Sequence, residues 1–186
     1  LTTATTPAQP FVTPAAAEET LVLMHEQARY TFTSHGGGLK QIDLLRYPES
    51  TAPGRKADTN RIATLNTKAP VPVMALMGDS ALVGDGLFTL KQTATGVRAE
   101  KLLPNGLSVV KEFRPTSNYQ FVVNVRLENR SDAPLTLGAQ EWVIGTATPM
   151  NALDKDATTL GIMWSDGGAT HDTPKTWFDN QSFMSC

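Results

Sequence analysis

The most regular pattern in the sequence is the alternation of apolar and polar residues between positions 119 and 129. The apolar members of one set of alternate positions are Tyr119, Phe121, Val123, Val125 and Leu127. The other set contains one valine and four polar residues, Gln120, Asn124, Arg126 and Glu128. A period of two over this length predicts a long β-strand with one buried face. Turn-forming residues 129–134 follow, and then a second apolar segment.

Shorter segments with strand character recur along most of the chain. They predict strands over residues 20–25, 28–34, 39–47, 61–65, 71–77, 87–93, 97–103, 107–113, 119–129, 135–148 and 159–164. Pro72 cannot donate a hydrogen bond within a sheet, so the strand over 71–77 is expected at an edge. No amphipathic helix and no long repeat is evident. Many short strands joined by turns predict an all-β, antiparallel sandwich.

Glycine and proline mark the expected turns. Three consecutive glycines, Gly36 to Gly38, permit positive φ values and predict a tight bend between two strands. The Pro104-Asn105-Gly106 sequence predicts a hairpin with a type I′ turn, because Asn and Gly tolerate left-handed backbone angles. Residues 48–60 and 78–86 are expected to be loops, and residues 165–186 are too mixed for an assignment.

The first 19 residues differ in composition from the rest. They are rich in Thr, Ala and Pro and show no periodicity, so they bury too little apolar surface to offset the entropy of ordering. We expect residues 1–19 to form a flexible linker and residues 20–186 to form one β-sandwich domain, with a frayed terminus as the alternative for the first part. The chain begins with Leu and shows no signal peptide, so we expect an excised or processed piece.

Composition excludes several classes of function. The net charge is −2 and no Lys/Arg-rich cluster is present, which gives no basis for a nucleic-acid surface. No apolar segment approaches the roughly 20 residues that cross a bilayer. Cys186 is the only cysteine, so neither an internal disulfide nor a cysteine-based metal site can form.

The glycine-rich segment from Ser34 to Lys40 invites comparison with a phosphate-binding loop. It lacks the Gly-Lys-Ser/Thr ending, and a predicted strand follows where a helix N-terminus would be needed. We therefore interpret it as a structural bend.

Candidate catalytic and metal-binding residues are scattered. The histidines, His25, His35 and His171, do not follow metal-ligand spacing, and no Gly-x-Ser-x-Gly motif marks a nucleophile. The acidic group Asp154-Lys155-Asp156 fits a solvated loop. The remaining carboxylates of interest occur where turns are expected, namely Asp58, Asp79, Asp85 and Asp166 before two glycines. We predict no catalytic, cofactor-binding or metal-binding residue, and a protein that is not an enzyme.

Aromatic residues offer the remaining binding chemistry, because they can stack on sugars or anchor a partner. Trp142 lies within an apolar segment and is predicted to fill the core. Trp164 ends a predicted strand. The Trp177-Phe178 pair lies among polar residues, where core packing and contact with a groove ligand or a partner are both open.

Two stretches, taken together, suggest a family. In residues 28–45 a strand leads into consecutive glycines and then into a strand with apolar residues at its end. In residues 110–137 a Lys111-x-Phe113 motif precedes Tyr119, alternating valines, an asparagine-containing turn and Pro134-Leu135. Their order and spacing resemble the periplasmic domain of YidC-type membrane protein insertases of bacteria. The linker composition of residues 1–19 also resembles the tether that precedes this domain in the family.

The resemblance implies an antiparallel β-supersandwich, similar in architecture to galactose mutarotases. It implies a domain in the periplasm that belongs to an inner-membrane protein, which inserts and folds membrane proteins alone or with the Sec translocon. The expected partners are the translocon, its accessory subunits and nascent membrane proteins. The family's insertion groove lies among transmembrane helices outside this chain, so no catalytic residue is carried over.

The chain differs from the family in one respect, and two other functions are alternatives to the one that the resemblance implies. The family's domain usually continues with further strands and a linking helix beyond the position of Cys186, so either the chain is truncated or its sandwich is smaller. The alternative function is a carbohydrate-binding or aldose-epimerase-like sandwich protein, which would need a histidine acid and a carboxylate base at one sugar site. A third possibility is a chaperone-like domain that binds extended peptides at a sheet edge.

Overall fold

A computed structural model of the chain describes residues 11–49, 61–117, 119–146, 148 and 161–174. These residues form antiparallel β-strands and one four-residue helix, α1 (Ser80–Val83), so the all-β prediction is confirmed. The strands are β1 (Thr20–His25), β2 (Ala28–Thr33), β3 (Gly38–Pro48), β4 (Ile62–Leu65), β5 (Leu76–Gly78), β6 (Thr89–Thr93), β7 (Gly96–Leu102), β8 (Leu107–Pro115), β9 (Phe121–Asn129), β10 (Gln140–Trp142), β11 (Gly161–Ser165) and β12 (Thr170–Pro174).

Two four-stranded sheets, with strand orders β1-β2-β3-β4 and β6-β7-β8-β9, contribute to one hydrophobic core. Aromatic rings connect the sheets: the ring centroids of Phe32 and Phe113 are 5.0 Å apart, and those of Tyr30 and Phe121 are 4.5 Å apart. Two smaller antiparallel pairs, β5 with β10 and β11 with β12, complete the described structure. The β11–β12 hairpin includes the predicted strand ending at Trp164, and β12 was not predicted.

The long alternating segment forms β9 over Phe121–Asn129, as predicted, and pairs with β8 over its whole length. Its odd-numbered residues from Phe121 to Leu127 are partly buried, and Val122, Asn124 and Arg126 are exposed. Including Tyr119 in the strand was wrong. Tyr119 has a positive φ of 61°, which places it in the turn between β8 and β9, and its ring contacts Tyr47.

The β7–β8 hairpin forms at the predicted residues, but the predicted turn type was wrong. A type I′ turn needs positive φ at both central residues. Here Gly106 has a φ of 85°, while Asn105 keeps a negative φ and its side chain accepts a hydrogen bond from the Leu107 amide. Pro104 fixes its own φ near −65°, which suits a type I turn and leaves the left-handed position to the glycine that follows.

The segments expected over residues 71–77 and 135–148 form shorter strands than predicted. Only Leu76–Gly78 and Gln140–Trp142 are strands, and they pair with each other. Pro72 lacks an amide donor, and Met74 has a left-handed φ of 66°, which interrupts any extended segment before residue 76. Within the loop predicted for residues 78–86, the side chain of Asp79 accepts a hydrogen bond from the Ala81 amide and caps α1.

Residues 11–19, which we term the strap, lie against the glycine-rich bend. The amide of Glu19 donates to Ser34 Oγ, and the amide of Ser34 donates to the carbonyl of Glu19, at 2.9 and 2.8 Å. The Glu18 carboxylate accepts hydrogen bonds from Thr33 and Lys40, each at 2.5 Å. The linker prediction for residues 1–19 did not anticipate these contacts, and residues 1–10 lie outside the described residues.

Charged residues of alternating sign form a ladder across β7, β8 and β9, on the sheet face opposite Lys111 and Phe113. Successive ion pairs join Glu100, Arg98, Glu112, Arg126, Glu128 and Arg130, at distances of 2.8 to 3.4 Å. Four predictions fall outside the described residues, namely those for Asp58 in its loop, for the acidic group at 154–156, for Trp177-Phe178 and for Cys186.

Candidate functional site

A buried lysine on β8 is the most unusual group in the described structure. The strand places Leu107, Val109, Lys111 and Phe113 on one side, where the three apolar residues belong to the core. Lys111 shares their register and has no exposed surface. A lysine is almost never fully buried without a partner, so its contacts decide what it can do.

The ammonium group of Lys111 is held by backbone carbonyls and aromatic rings. Its Nζ donates to the carbonyl of Gly36 at 2.6 Å and to that of Met74 at 2.8 Å. The same nitrogen lies 4.2 Å from the centre of the Phe88 ring and 5.5 Å from that of Trp142. The negative faces of both rings attract the cation. Together with the two carbonyls, they place four separate segments of the chain around this one amine.

Unusual backbone geometry presents these acceptors. Gly36 and Gly37 have φ values of 74° and 57°, and Met74 has a φ of 66°. A Cβ atom on Gly37 would lie 2.7 Å from Cδ1 of Phe88, so glycine is required there both by the backbone angle and by the ring. The predicted glycine bend is therefore confirmed, and it directs the Gly36 carbonyl toward Lys111.

Burial lowers the pKa of Lys111 from 10.5 to about 7, and repulsion from Lys101 adds to this effect. No carboxylate among the described residues forms a hydrogen bond or ion pair with its Nζ. Lys101, on neighbouring β7, instead pairs with Asp85. The hydrogen bond from Lys101 and that from the Leu87 amide hold the pKa of Asp85 below its usual value.

A cleft of about 470 Å³ lies next to this region. Its lining combines both charge signs with two buried serines, and it includes Glu19, Ser34, Asp85, Phe88, Glu100, Lys101, Ser108 and Arg130. Phe88 lines the cleft, and its ring also contacts the amine of Lys111. A solute in the cleft could contact hydroxyl, carboxylate and cationic groups. It could not contact the Lys111 amine, because that amine is fully buried.

The three histidines have separate roles in the structure. His25 ends β1, and His35 lies in the glycine bend, where its Nε2 donates to the Ala16 carbonyl of the strap at 2.9 Å. His171 on β12 stacks on Trp164, with ring centroids 3.9 Å apart, and bonds to Asp166. Among the described residues no three His, Cys, Asp or Glu side chains are grouped so as to hold a metal ion.

The remaining candidates lie where turns or core packing were predicted. Asp166 accepts hydrogen bonds from the Gly168 and Ala169 amides in the β11–β12 turn, and these bonds with that of His171 lower its pKa to about 2. Trp142 is partly buried against the core, as predicted. Trp164 is 44% exposed on its hairpin.

Sequence reasoning did not identify Lys111 as a functional candidate. The signal is present in the sequence, because a lysine stands among alternate apolar residues at 107, 109 and 113. A charged residue in the buried register of a strand needs a compensating environment, and that requirement marks a special site. The partners Gly36, Met74, Phe88 and Trp142 could not be identified, because they are distant in sequence.

Comparisons with known proteins returned no family model, no curated protein and no solved structure that matches this chain.

Proposed function

We propose that the chain is the periplasmic domain of a YidC-type membrane protein insertase and acts as a non-catalytic interaction module. The observation that carries this proposal is the junction of the two stretches on which the resemblance rests. Residues 28–45 supply Tyr30 and Phe32, and residues 110–137 supply Phe113 and Phe121. These four rings pack together, with centroid separations of 4.5 to 6.2 Å.

A polar contact supports the same junction. The Nζ of Lys111, in the second stretch, bonds to the carbonyl of Gly36, in the first, although the residues are 75 positions apart. The two stretches of the resemblance therefore belong to one core, as the proposed fold requires. The fold we propose is the β-supersandwich, to which the two four-stranded sheets would belong.

In this proposal the domain stands in the periplasm and is tethered to the inner membrane by helices that are not part of this chain. Within the described residues, no helix has the length and apolar character to span a bilayer. The domain would present surfaces to accessory subunits of the Sec translocon and to nascent membrane proteins. The charged ladder on β7–β9 and the neighbouring cleft, which share Glu100 and Arg130, are the surfaces we assign to this role.

Site-specific photocrosslinking tests the proposal. The chain would replace the periplasmic domain of an insertase in a bacterium depleted of its own copy, with a photoreactive residue at Arg130. Lys91, which is exposed on β6 and does not line the cleft, gives the matched control position. We expect crosslinks to Sec accessory subunits or nascent membrane proteins from position 130 and few from position 91. Equal labelling at both positions, or none at all, would contradict the assigned surface.

One observation favours the carbohydrate alternative. His35 and Glu18, a histidine and a carboxylate, line the same cavity of about 210 Å³, together with Lys40 and Thr33. An aldose epimerase needs such an acid and base at the sugar ring oxygen and the anomeric hydroxyl. Although burial acts to raise the pKa of Glu18, hydrogen bonds from Lys40 and Thr33 lower it below its usual value, which makes this carboxylate a weak base.

NMR measurement of anomer equilibration decides between the two functions. We expect the chain to leave the equilibration rate of a free aldohexose unchanged. Acceleration by the wild type that is lost in both His35→Ala and Glu18→Gln would establish the epimerase function and overturn the insertase proposal. His171→Ala is the matched control, because His171 lies on the β11–β12 hairpin and does not line this cavity.

A further inference from the structure

One side of Lys111 is covered by a small two-part unit, which we term the flap and define as residues 71–78 and 140–143. Its parts are joined by the β5–β10 pairing and by hydrogen bonds from the Met74 amide to the Val143 carbonyl and from the Val143 amide to the Ala75 carbonyl. These bonds measure 2.6 and 3.0 Å. The flap is therefore connected internally as one unit, and its Ala75 and Leu76 are buried against the body of the domain.

Few polar contacts join the flap to the first sheet. The Leu39 amide donates to the Val73 carbonyl at 3.0 Å, and the Val73 amide donates to the Leu39 carbonyl at 2.9 Å. Lys111 adds a polar contact from the second sheet, because its Nζ donates to the Met74 carbonyl and lies near the ring of Trp142. The other bond of this nitrogen goes to Gly36 in the glycine bend, so the amine bridges the flap and the body of the domain.

We propose that Lys111 is a proton-controlled latch, in which the buried amine holds the flap closed and its protonation favours an open flap that exposes the amine to water. The geometry supports this role because the amine has no carboxylate partner among the residues that the structure describes and lies between two carbonyls that belong to different segments. Opening the flap would replace dry surroundings with water, which solvates an ammonium ion far better than a neutral amine. The latch goes beyond the proposed function and does not depend on it.

Charged groups near the latch lie on several elements. On β7, Lys101 repels Lys111, and Asp85 pairs with Lys101. In the glycine bend the His35 ring bonds to the strap, and on the flap Glu141 is exposed. Lys101 is the charged group that lowers the pKa of Lys111 by repulsion. We expect the protonation of Lys111 itself to dominate the pH dependence of flap opening.

The direction of the pH dependence follows from the two states of the flap. With the flap closed, the pKa of Lys111 is about 7. With the flap open, we expect its pKa to approach the ordinary value of 10.5. The open state therefore binds more protons between these values, and raising the pH disfavours it. The equilibrium constant for opening should stay constant below pH 7 and should fall roughly tenfold per pH unit above it.

Amide hydrogen exchange of Leu39 and Val73 measures this opening, because both amides bond across the junction that opening breaks. The intrinsic exchange rate of a free amide rises about tenfold per pH unit. The opening constant should fall by about the same factor, and the two changes should cancel in the observed rate. We expect the observed rates of these two amides to stay nearly flat between pH 7 and 9, and to exceed those of amides in the middle of β8 throughout. Amides of the β11–β12 hairpin should accelerate about tenfold per pH unit.

Variants and a direct titration complete the test. Lys111→Met should restore the roughly tenfold acceleration at Leu39 and Val73, whereas Lys91→Met, at an exposed position, should leave the flat profile unchanged. If Lys111→Met does not fold, an NMR titration of the Lys111 side chain in the wild type replaces it. A midpoint near that of free lysine would overturn the proposal. Equal exchange rates for the flap junction and β8 would overturn it as well, because opening would then be global unfolding.

Discussion

Lys101 and Lys111 lie on neighbouring strands and share Phe88, whose ring centre is 5.7 Å from one Nζ and 4.2 Å from the other. Little of either side chain is exposed to water: 7% for Lys101, and none of the Lys111 residue. Their partners differ. Lys101 pairs with Asp85, which is itself mostly exposed, whereas the partners of Lys111 in the described part of the chain are two carbonyls and two rings.

The two lysines show that a largely buried amine can have either a carboxylate or only neutral groups as its partners. An ammonium beside a carboxylate recovers the free energy of desolvation through the ion pair. An ammonium among carbonyls recovers only part of it, and its pKa falls as a result. Lys111 can thus lose its charge near neutral pH, and the region around it is a part of the domain that responds to protons.

The largest expected effect comes from disturbing the bend that presents the Gly36 carbonyl. In Gly37→Ala, the new methyl group would meet the Phe88 ring and the backbone would be left at an unfavourable positive φ. We expect the free energy of unfolding to fall by about 3 kcal/mol, measured by urea denaturation.

A second glycine separates the two causes. Gly167 also has a positive φ, of 90°, but a Cβ atom there would meet nothing within 4 Å. Gly167→Ala should therefore cost only about 1 kcal/mol, from backbone strain alone. An equal loss in both variants would show that packing against Phe88 contributes nothing.

Replacing the buried amine should change the pH dependence of stability. The folded-state pKa of Lys111 is lower than its unfolded value, so the unfolded chain binds more protons above pH 7 and the wild type should gain stability as the pH rises. From pH 6 to pH 9 we expect this gain, relative to Lys111→Met, to be about 2 to 3 kcal/mol.

Parallel urea titrations of the two proteins at each pH measure this gain. Lys111→Met keeps a similar volume but leaves the carbonyls of Gly36 and Met74 without a donor, so it should be the less stable protein at pH 9. Parallel pH curves for the two proteins would mean that Lys111 titrates as an exposed lysine does.

A smaller effect is expected at the paired lysine. In Asp85→Asn the ion pair with Lys101 is lost, and because Asp85 is mostly exposed the cost should stay below about 1 kcal/mol at neutral pH. The lowered pKa of Asp85 means that its contribution is present above the ordinary carboxyl pKa and disappears as the pH falls through the folded value. Urea denaturation of the wild type and of Asp85→Asn, at pH 7 and in acid, measures the cost and its pH dependence. A stability difference that persists in acid would show that the ion pair is not its cause.

The smallest effect is expected when the charge of Lys101 is removed and both hydrogen bonds of Lys111 are kept. In Lys101→Met the repelling charge is absent, so the pKa of Lys111 should rise while its two carbonyl contacts remain. An NMR titration of the Lys111 side chain follows this pKa. If the pKa stays unchanged or falls, the charge of Lys101 does not reach the buried amine.

Periodicity was sufficient to predict the parts of the fold that depend on local sequence. β8 and β9 were placed to within two residues at each end, because the alternation in β9 and the turns beside both strands mark them in the sequence. The glycine bend followed from the backbone freedom of Gly36 and Gly37. The type I′ turn was wrong because Pro104 restricts its own φ and shifts the left-handed position to Gly106.

The site could not be predicted to the same extent, because its parts meet only through tertiary structure. Lys111 stands in a buried register, which the sequence shows, but the Met74 carbonyl faces it only because Met74 adopts a left-handed conformation. No local signal predicts positive φ at a methionine. The contacts between the strap and Ser34 could not be predicted for a similar reason. Residues 11–19 show no periodicity, and their partners lie on a segment that is distant in sequence.

The charged ladder described on β7, β8 and β9 has a consequence for how the domain behaves when crowded. In the described part of the chain, β9 is the last strand of its sheet, and such a strand can recruit a strand from another molecule. Arg126 and Glu128 place fixed charges of opposite sign along this border. A strand that paired there would bring its side chains beside these charges, so the border favours a partner that presents complementary charges.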